Sequence, residues 1–277
     1  MKRSGFSLVE LSVVLAILGL IIGGILGGNA LLRASELRAI TTEYGRYRNA
    51  VGGFRDKFQA IPGDMINAAQ IWGIAGTSTT GSDTACYNAN QLNGIVTCNG
   101  NGNGIVDPYS SSPGNGGNSG AQEQYMFWKH LANAGLIEGQ YSGVADTGTN
   151  FSAVIGTNVP KSASCRGCGW STTLNYANIL YGPFAGVSNT FFARDAGYGN
   201  NLIFGKNTTN RNTYAKALSP RNAHDIDRKV DDGMPGTGRW LGTWTSTCAS
   251  GDGTDLTVEY NLSAESMECS LIVVDAF

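Results

Sequence analysis

From Phe6 to Gly28 the chain reads FSLVELSVVLAILGLIIGGILGG, a mostly apolar run with a single charge, Glu10. The pattern then changes. Leu37, Ile40, Tyr44, Tyr47, Val51, Phe54 and Phe58 recur at spacings of three and four, while Arg33, Glu36, Arg38, Arg46, Arg48, Asp56 and Lys57 fall mostly between them. Together the two patterns predict one helix from Phe6 to Phe58, roughly 80 Å long at ~1.5 Å per residue. It is apolar all round in its first half and one-sided in its second. Gly52-Gly53 is a point where it could bend, and Ile61-Pro62-Gly63-Asp64 should stop it. Further on, Trp128–Gly139 reads as a short helix with a glycine stop, followed by a strand start at Tyr141. Leu202–Phe204, Leu256–Tyr260 and Leu271–Val274 have strand character. The predicted class is α+β: a long N-terminal helix carrying a small antiparallel sheet.

The first half of the helix is long enough to cross a ~30 Å hydrocarbon layer. Lys2 and Arg3 precede it, which by the positive-inside rule keeps the N-terminus cytoplasmic and sends everything after Gly28 to the outer side. A secretory signal peptide is the rival reading. Its apolar core is usually only ~7–15 residues, and a disposable signal has little reason to carry Glu10, since a carboxylate inside a membrane helix costs ~2.5–3.5 kcal/mol on insertion scales.

Lys2-Arg3-Ser4-Gly5 followed by Phe6-Ser7-Leu8-Val9-Glu10-Leu11 resembles the leader and mature start of type IV pilins and type II secretion pseudopilins. The resemblance covers about residues 1–30. It implies that a prepilin peptidase cuts between Gly5 and Phe6 and methylates the new Phe6 amine, that residues 6–28 stay as a membrane anchor, and that this segment later becomes the core of a filament. It further implies an organisation of leader (1–5), membrane and filament half of the helix (6–28), amphipathic half (29–59) and α+β head (60–277). Glu10 then has a role: the cationic Phe6 amine of an incoming subunit pairs with Glu10 of one already in place, relieving an unpaired charge in apolar surroundings. The plainer reading is a Glu10 that snorkels to the cytoplasmic interface. Gly19, Gly23, Gly24, Gly27 and Gly28 give the small-xxx-small spacing that lets apolar helices approach. Gly27 stands near the place where many members of the family carry a helix-breaking proline.

Composition supports a division at the end of the helix. All 7 Pro lie at or after Pro62 and all 6 Cys at or after Cys86, and Gly reaches 39 of 277 residues. Charged residues make up only 14%, against ~25% in ordinary soluble domains. An exported head lies in an oxidising compartment, where disulfides are the default. Six cysteines allow about 15 pairings. Pairing by neighbour gives Cys86–Cys98, Cys165–Cys168 and Cys248–Cys269, and the last resembles the C-terminal loop of many type IV pilins. Cys165-Arg166-Gly167-Cys168 also has C-x-x-C spacing, but no second pair accompanies it, and His130 and His224 stand alone as zinc ligands.

Two segments have oxygen-rich spacing suited to calcium. Asn99, Asn101, Asn103 and Asp107 alternate as in an EF-hand loop, with Gly104 and Ile105 following, though Ser110 stands where a closing Glu would be. A plain Asn-Gly turn is the alternative there. Asp225, Asp227, Asp231 and Asp232 place four carboxylates in a short acidic loop that resembles one in large pilin-like proteins; calcium, or internal salt bridges to Arg228 and Lys229, would relieve their repulsion. Ser110–Gly120 reads as a low-complexity exposed loop.

Nothing in the sequence marks an enzyme. It has no G-x-S-x-G, H-E-x-x-H, Walker A or dinucleotide fingerprint, and the acidic groups at Asp225–Asp232, Asp252 and Asp255 come with no nucleophile or orienting partner. Net charge is −2; loss of Lys2 and Arg3 with the leader leaves 17 basic against 21 acidic residues, or −4, which makes nucleic acid an unlikely partner on bulk charge. The reading is a structural subunit of a type IV pilus or pilus-like filament. It would sit first in the inner membrane with its head outside the cytoplasm, and then in an extracellular or periplasmic homopolymer. Its partners would be the prepilin peptidase, the inner-membrane assembly machinery and its own copies. The alternatives are a minor pilin or tip adhesin that binds a surface or DNA, and a secretion pseudopilin.

Overall fold

The computed structural model describes residues 7–73, 94–106, 123–145, 153–175, 199–208, 212–242, 247–250 and 257–277. Gly5, Phe6, Cys86, Asp107, Ser110–Gly120, Asp252, Asp255 and Leu256 lie outside them.

One unbroken helix, α1, spans Leu8–Phe58, 51 residues or about 75 Å. It continues without interruption through Gly19–Gly28 and through Gly52-Gly53. It stops where the chain turns left-handed at Gln59, whose N–H donates to Arg55 O at 2.8 Å. A short helix, α2 (Ala68–Trp72), follows, then α3 (Glu123–Asn133), β1 (Cys168–Asn175), β2 (Gly199–Lys206), α4 (Pro220–Val230), β3 (Trp240–Gly242) and β4 (Leu271–Val273).

The four described strands form one antiparallel sheet in the order β1-β2-β4-β3. Alternation sorts its side chains by face. Trp170, Leu202, Phe204, Leu271 and Val273 join the buried stripe of α1, while Ile203, Leu241, Ile272 and Val274 make a second small cluster on the other side. From α1, Ile40, Tyr47, Val51 and Phe54 are fully buried, with Leu37, Tyr44 and Phe58 packed at the margin. Tyr47 stands edge-on to Trp128 of α3 at 5.0 Å and to Trp170 of β1 at 6.0 Å, joining three elements. Edge-to-face aromatic pairs of this kind add ~0.5–1.5 kcal/mol beyond area burial.

The structure corrects several local expectations. No strand begins at Tyr141, and Thr257–Tyr260 makes an isolated bridge, Ala249 to Tyr260, in place of a strand. The acidic stretch expected as a loop is helical over its first half: Ser219 caps α4 through its Oγ, and Pro220 occupies the first turn, where its missing N–H costs nothing.

Candidate functional site

Among the described residues, the first half of α1 is exposed along its length. Leu8, Leu20 and Leu31 are 86%, 78% and 75% exposed, and every apolar side chain described between Leu8 and Leu26 faces outward. The helix opens with a capping box. Ser7 Oγ accepts the Val9 N–H at 3.3 Å, and Glu10 Oε2 accepts the Ser7 N–H at 2.9 Å. The Ser-x-x-Glu spacing within Phe6-Ser7-Leu8-Val9-Glu10 is its sequence signal. Helical structure therefore begins two residues past Phe6. Among the described residues Glu10 Oε1 has no partner, so half of this carboxylate is available to a donor from another chain.

Where α1 enters the head, polar contacts fix its orientation. Glu43 is 8% exposed; its Oε1 accepts the Ala163 N–H at 2.7 Å and its Oε2 accepts the Trp170 indole N–H at 2.7 Å. Nearly three turns earlier, Arg33 donates to Asn222 Oδ1 at 2.9 Å and to Ser219 Oγ at 3.3 Å, tying α1 to the cap of α4. Tyr44 meets Trp240 edge-on at 5.0 Å. Sequence reasoning missed Glu43: it lies one position ahead of Tyr44 in the buried stripe, and only that position marks it.

The Asn-Gly loop is built around an anion supplied by the protein. Asp64 Oδ1 accepts N–H groups from Gly102 and Asn103, and Oδ2 accepts that of Gly104. Converging backbone N–H groups of this kind form a nest for negative charge. Gly102 and Gly104 have φ of 74° and 85°, which a side chain would resist. The amide oxygens of Asn99, Asn101 and Asn103 accept the N–H of Ala69, Asn103 and Ile105 respectively. The described loop therefore clasps Asp64 and ties the end of α1 to α2.

Of the acidic run, the structure brings together Asp227, Asp231 and Asp232, whose nearest carboxylate oxygens lie within 4.8 Å of one another. Asp225 is not part of the group: it lies on the exposed side of α4, 3.7 Å from His224 Nδ1. Asp227 is fully buried and accepts the Tyr260 hydroxyl at 2.9 Å and the Gly233 N–H at 3.2 Å. Burial pushes its pKa up to about 7; the Tyr260 and Gly233 hydrogen bonds oppose that shift, and the charges of Asp232 and Asp231 add to it. Asp231 accepts the N–H groups of Arg239 and Trp240, and Asp232 those of Met234 and the Thr237 hydroxyl. A cation bound here would meet three carboxylates already shared with backbone and hydroxyl donors.

His130 is a structural residue. Its Nδ1 accepts the Gly63 N–H at 2.9 Å, which leaves Nε2–H to meet Thr97 Oγ1 at 2.8 Å, and burial lowers its pKa to about 3. Beside it, the buried Lys129 donates to the carbonyls of Gly94 and Tyr141. Cys165 is bonded to Cys168 and Cys248 to Cys269; Cys98 is also disulfide-bonded.

Residues 1–26 match the prokaryotic N-terminal methylation motif. No curated protein and no solved structure matches the chain. The match and the exposed apolar helix agree: the chain begins with a prepilin segment of the type IV pilin and pseudopilin kind and fits a membrane-anchored precursor. The long helix, antiparallel sheet and disulfides make an α+β, type IV pilin-like fold. A motif of this type points to a structural protein.

Proposed function

We propose that the chain is a structural subunit of a type IV pilus or pilus-like filament, cut between Gly5 and Phe6 and assembled through the first half of α1. The observation that carries this reading is the bare apolar surface of Leu8–Leu26 beside a head that has its own complete core. Fully burying one Leu, Ile or Val side chain is worth ~1.5–3 kcal/mol. Lipid supplies that burial before assembly, and the same segment of neighbouring copies supplies it afterwards. The free Oε1 of Glu10 receives the Phe6 amine of an incoming subunit, which sets the axial register between copies. The prepilin peptidase and the inner-membrane assembly machinery are the partners of this route, and the head lies outside the cytoplasm throughout.

Mass spectrometry of the native product tests the first step: it should lack residues 1–5, begin at Phe6 and carry one added methyl group. Filaments sheared from the cell surface test the second. The chain should be their main component. Trace amounts would favour a tip subunit, and retention in the periplasm would favour a pseudopilin.

In this reading a head that binds calcium does so at Asp227, Asp231 and Asp232, where the ion replaces the proton that burial favours on Asp227. Calorimetric titration of the head with calcium, against the Asp227→Asn variant, tests this directly.

A further inference from the structure

Asn261-Leu262-Ser263 is an Asn-x-Ser triplet, with Glu259 two positions ahead of the asparagine. The triplet is the acceptor pattern for N-linked glycans in exported chains, and an acidic residue at that earlier position is the added demand of bacterial glycan transfer. Two other triplets occur, at Asn150 and Asn207, but Gly148 and Gly205 stand at the corresponding place.

The structure sets this triplet apart further. Asn261 is half-buried, while Glu259, Leu262 and Ser263 are exposed. The Ala264 N–H closes a turn on Asn261 O at 3.0 Å, and the Asn261 N–H is anchored on Cys248 O at 2.9 Å. The turn lies inside the loop closed by the Cys248–Cys269 disulfide. Its backbone is thus held while the side chain is presented. Ser263 Oγ donates to Asn261 Oδ1 at 2.6 Å, and among the described residues Asn261 Nδ2 donates to nothing. A hydrogen bond onto Oδ1 draws electron density away from nitrogen and makes the Nδ2 protons easier to lose. Asn158 shows the opposite case: its Nδ2 is spent on Val144 O, its Oδ1 on the Val154 N–H, and it is buried.

We propose that Asn261 is an N-glycosylation site. The donor is an oligosaccharide linked through pyrophosphate to a polyprenyl lipid, available in the membrane that anchors α1. Asn261 Nδ2 attacks the anomeric carbon of the first sugar. The carbon–nitrogen bond forms, the carbon–oxygen bond to pyrophosphate breaks, Nδ2 gives up one proton to a base on the transferase, and polyprenyl pyrophosphate leaves. No oxidant or reductant is involved. Glu259 and Ser263 act as recognition residues. The product is a glycan on the head, attached at an Nδ2 that donates to no described residue.

This inference rests on the reading that the head is exported. The test expresses the full-length chain in a bacterium that carries a membrane oligosaccharyltransferase, its lipid-linked glycan and a control acceptor peptide. Intact mass and peptide fragmentation should show one glycan on Asn261. It should vanish in Asn261→Gln, Ser263→Ala and Glu259→Gln, and persist in Ser263→Thr. A bare Asn261 on a chain that has lost residues 1–5 and whose head is digested by protease outside spheroplasts, beside a glycosylated control, overturns the proposal alone. A glycan found only at Asn150 or Asn207 also overturns it. A head protected from that protease overturns the export reading and this one together.

Discussion

Glu43 on α1 and Trp170 on β1 lie 127 positions apart in sequence and meet through a 2.7 Å hydrogen bond from the indole N–H to the carboxylate. The other oxygen of Glu43 takes the Ala163 N–H, so one side chain satisfies two donors from the segment that leads into the sheet. Leaving a buried donor unsatisfied costs ~1–3 kcal/mol. Glu43→Ala should therefore destabilise the head by about 2–4 kcal/mol, read as a fall in thermal midpoint of the detergent-solubilised chain. Glu43→Gln, which keeps one acceptor, should lose less. Equal losses would show that the contact carries no such role.

Glu10→Ala removes both the cap on Ser7 and the carboxylate offered to a neighbour. The variant should still be cut after Gly5, because the scissile bond lies ahead of the helix. It should accumulate in the membrane and be missing from sheared filaments. Ser7→Ala removes only half of the capping box, at a cost of about 0.5–2 kcal/mol, and should still assemble. Immunoblots of membrane and sheared fractions separate the two variants.

The pH dependence of the head should carry the mark of His130. Its folded pKa is about 3, below the unfolded value near 6.5, so the unfolded chain binds more protons between those limits. The stabilisation from neutral His130 is complete above pH ~6.5 and is lost as pH falls towards 3, with a total on the order of 5 kcal/mol. His130→Gln should be less stable at neutral pH and should lose this part of the acid slope. Denaturant midpoints taken from pH 7.5 to pH 4 measure it.

Tyr260→Phe tests the acidic turn. The Tyr260 hydroxyl favours the charged form of Asp227, whose folded pKa is raised to about 7. Because that value exceeds the unfolded one, Asp227 favours folding most when protonated, and its contribution is lost as pH rises through 7. Removing the hydroxyl should then cost more at pH 8.5 than at pH 5.5, with a difference of about 1 kcal/mol. Thermal midpoints of both chains at the two pH values decide it.

Replacing Cys248 and Cys269 by serine should cost about 3 kcal/mol, the chain-entropy value for a loop of this length. The same change should leave the turn at Asn261 without its covalent boundary. Urea unfolding of the double variant measures the loss.

The α1 stripe was legible because Ile40, Tyr47, Val51 and Phe54 repeat at helical spacing with charge between them, and burial follows from that geometry alone. Glu43 was not, since a carboxylate one place before Tyr44 looks like part of the solvated face until Ala163 and Trp170 arrive from distant sequence. The strand β1 was hidden by its composition: Gly169, Ser171, Thr172 and Thr173 give no apolar alternation, and its register is set by pairing with β2. The helix α4 was obscured by its carboxylates, although Ser219-Pro220 is a helix-start signal that the acidic run drew attention from. The capping box of Ser7 and Glu10 sat in plain view in Phe6-Ser7-Leu8-Val9-Glu10. The same two residues also belong to the prepilin pattern, so the sequence alone does not separate the local cap from that role. The three-carboxylate group depends on α4 turning Asp225 away, which spacing alone does not show.

The sheet order places Leu271–Val273 between β2 and β3, and Phe277 stacks on Phe127 at 5.0 Å. A chain made from its N-terminus delivers this central strand after the other three described strands. Until those residues emerge, β2 is paired only with β1 and β3 has no described strand to join, and the open edges invite mispairing with other nascent chains. The rate at which β4 reaches its neighbours, more than the strength of any single contact, should then govern the yield of folded heads.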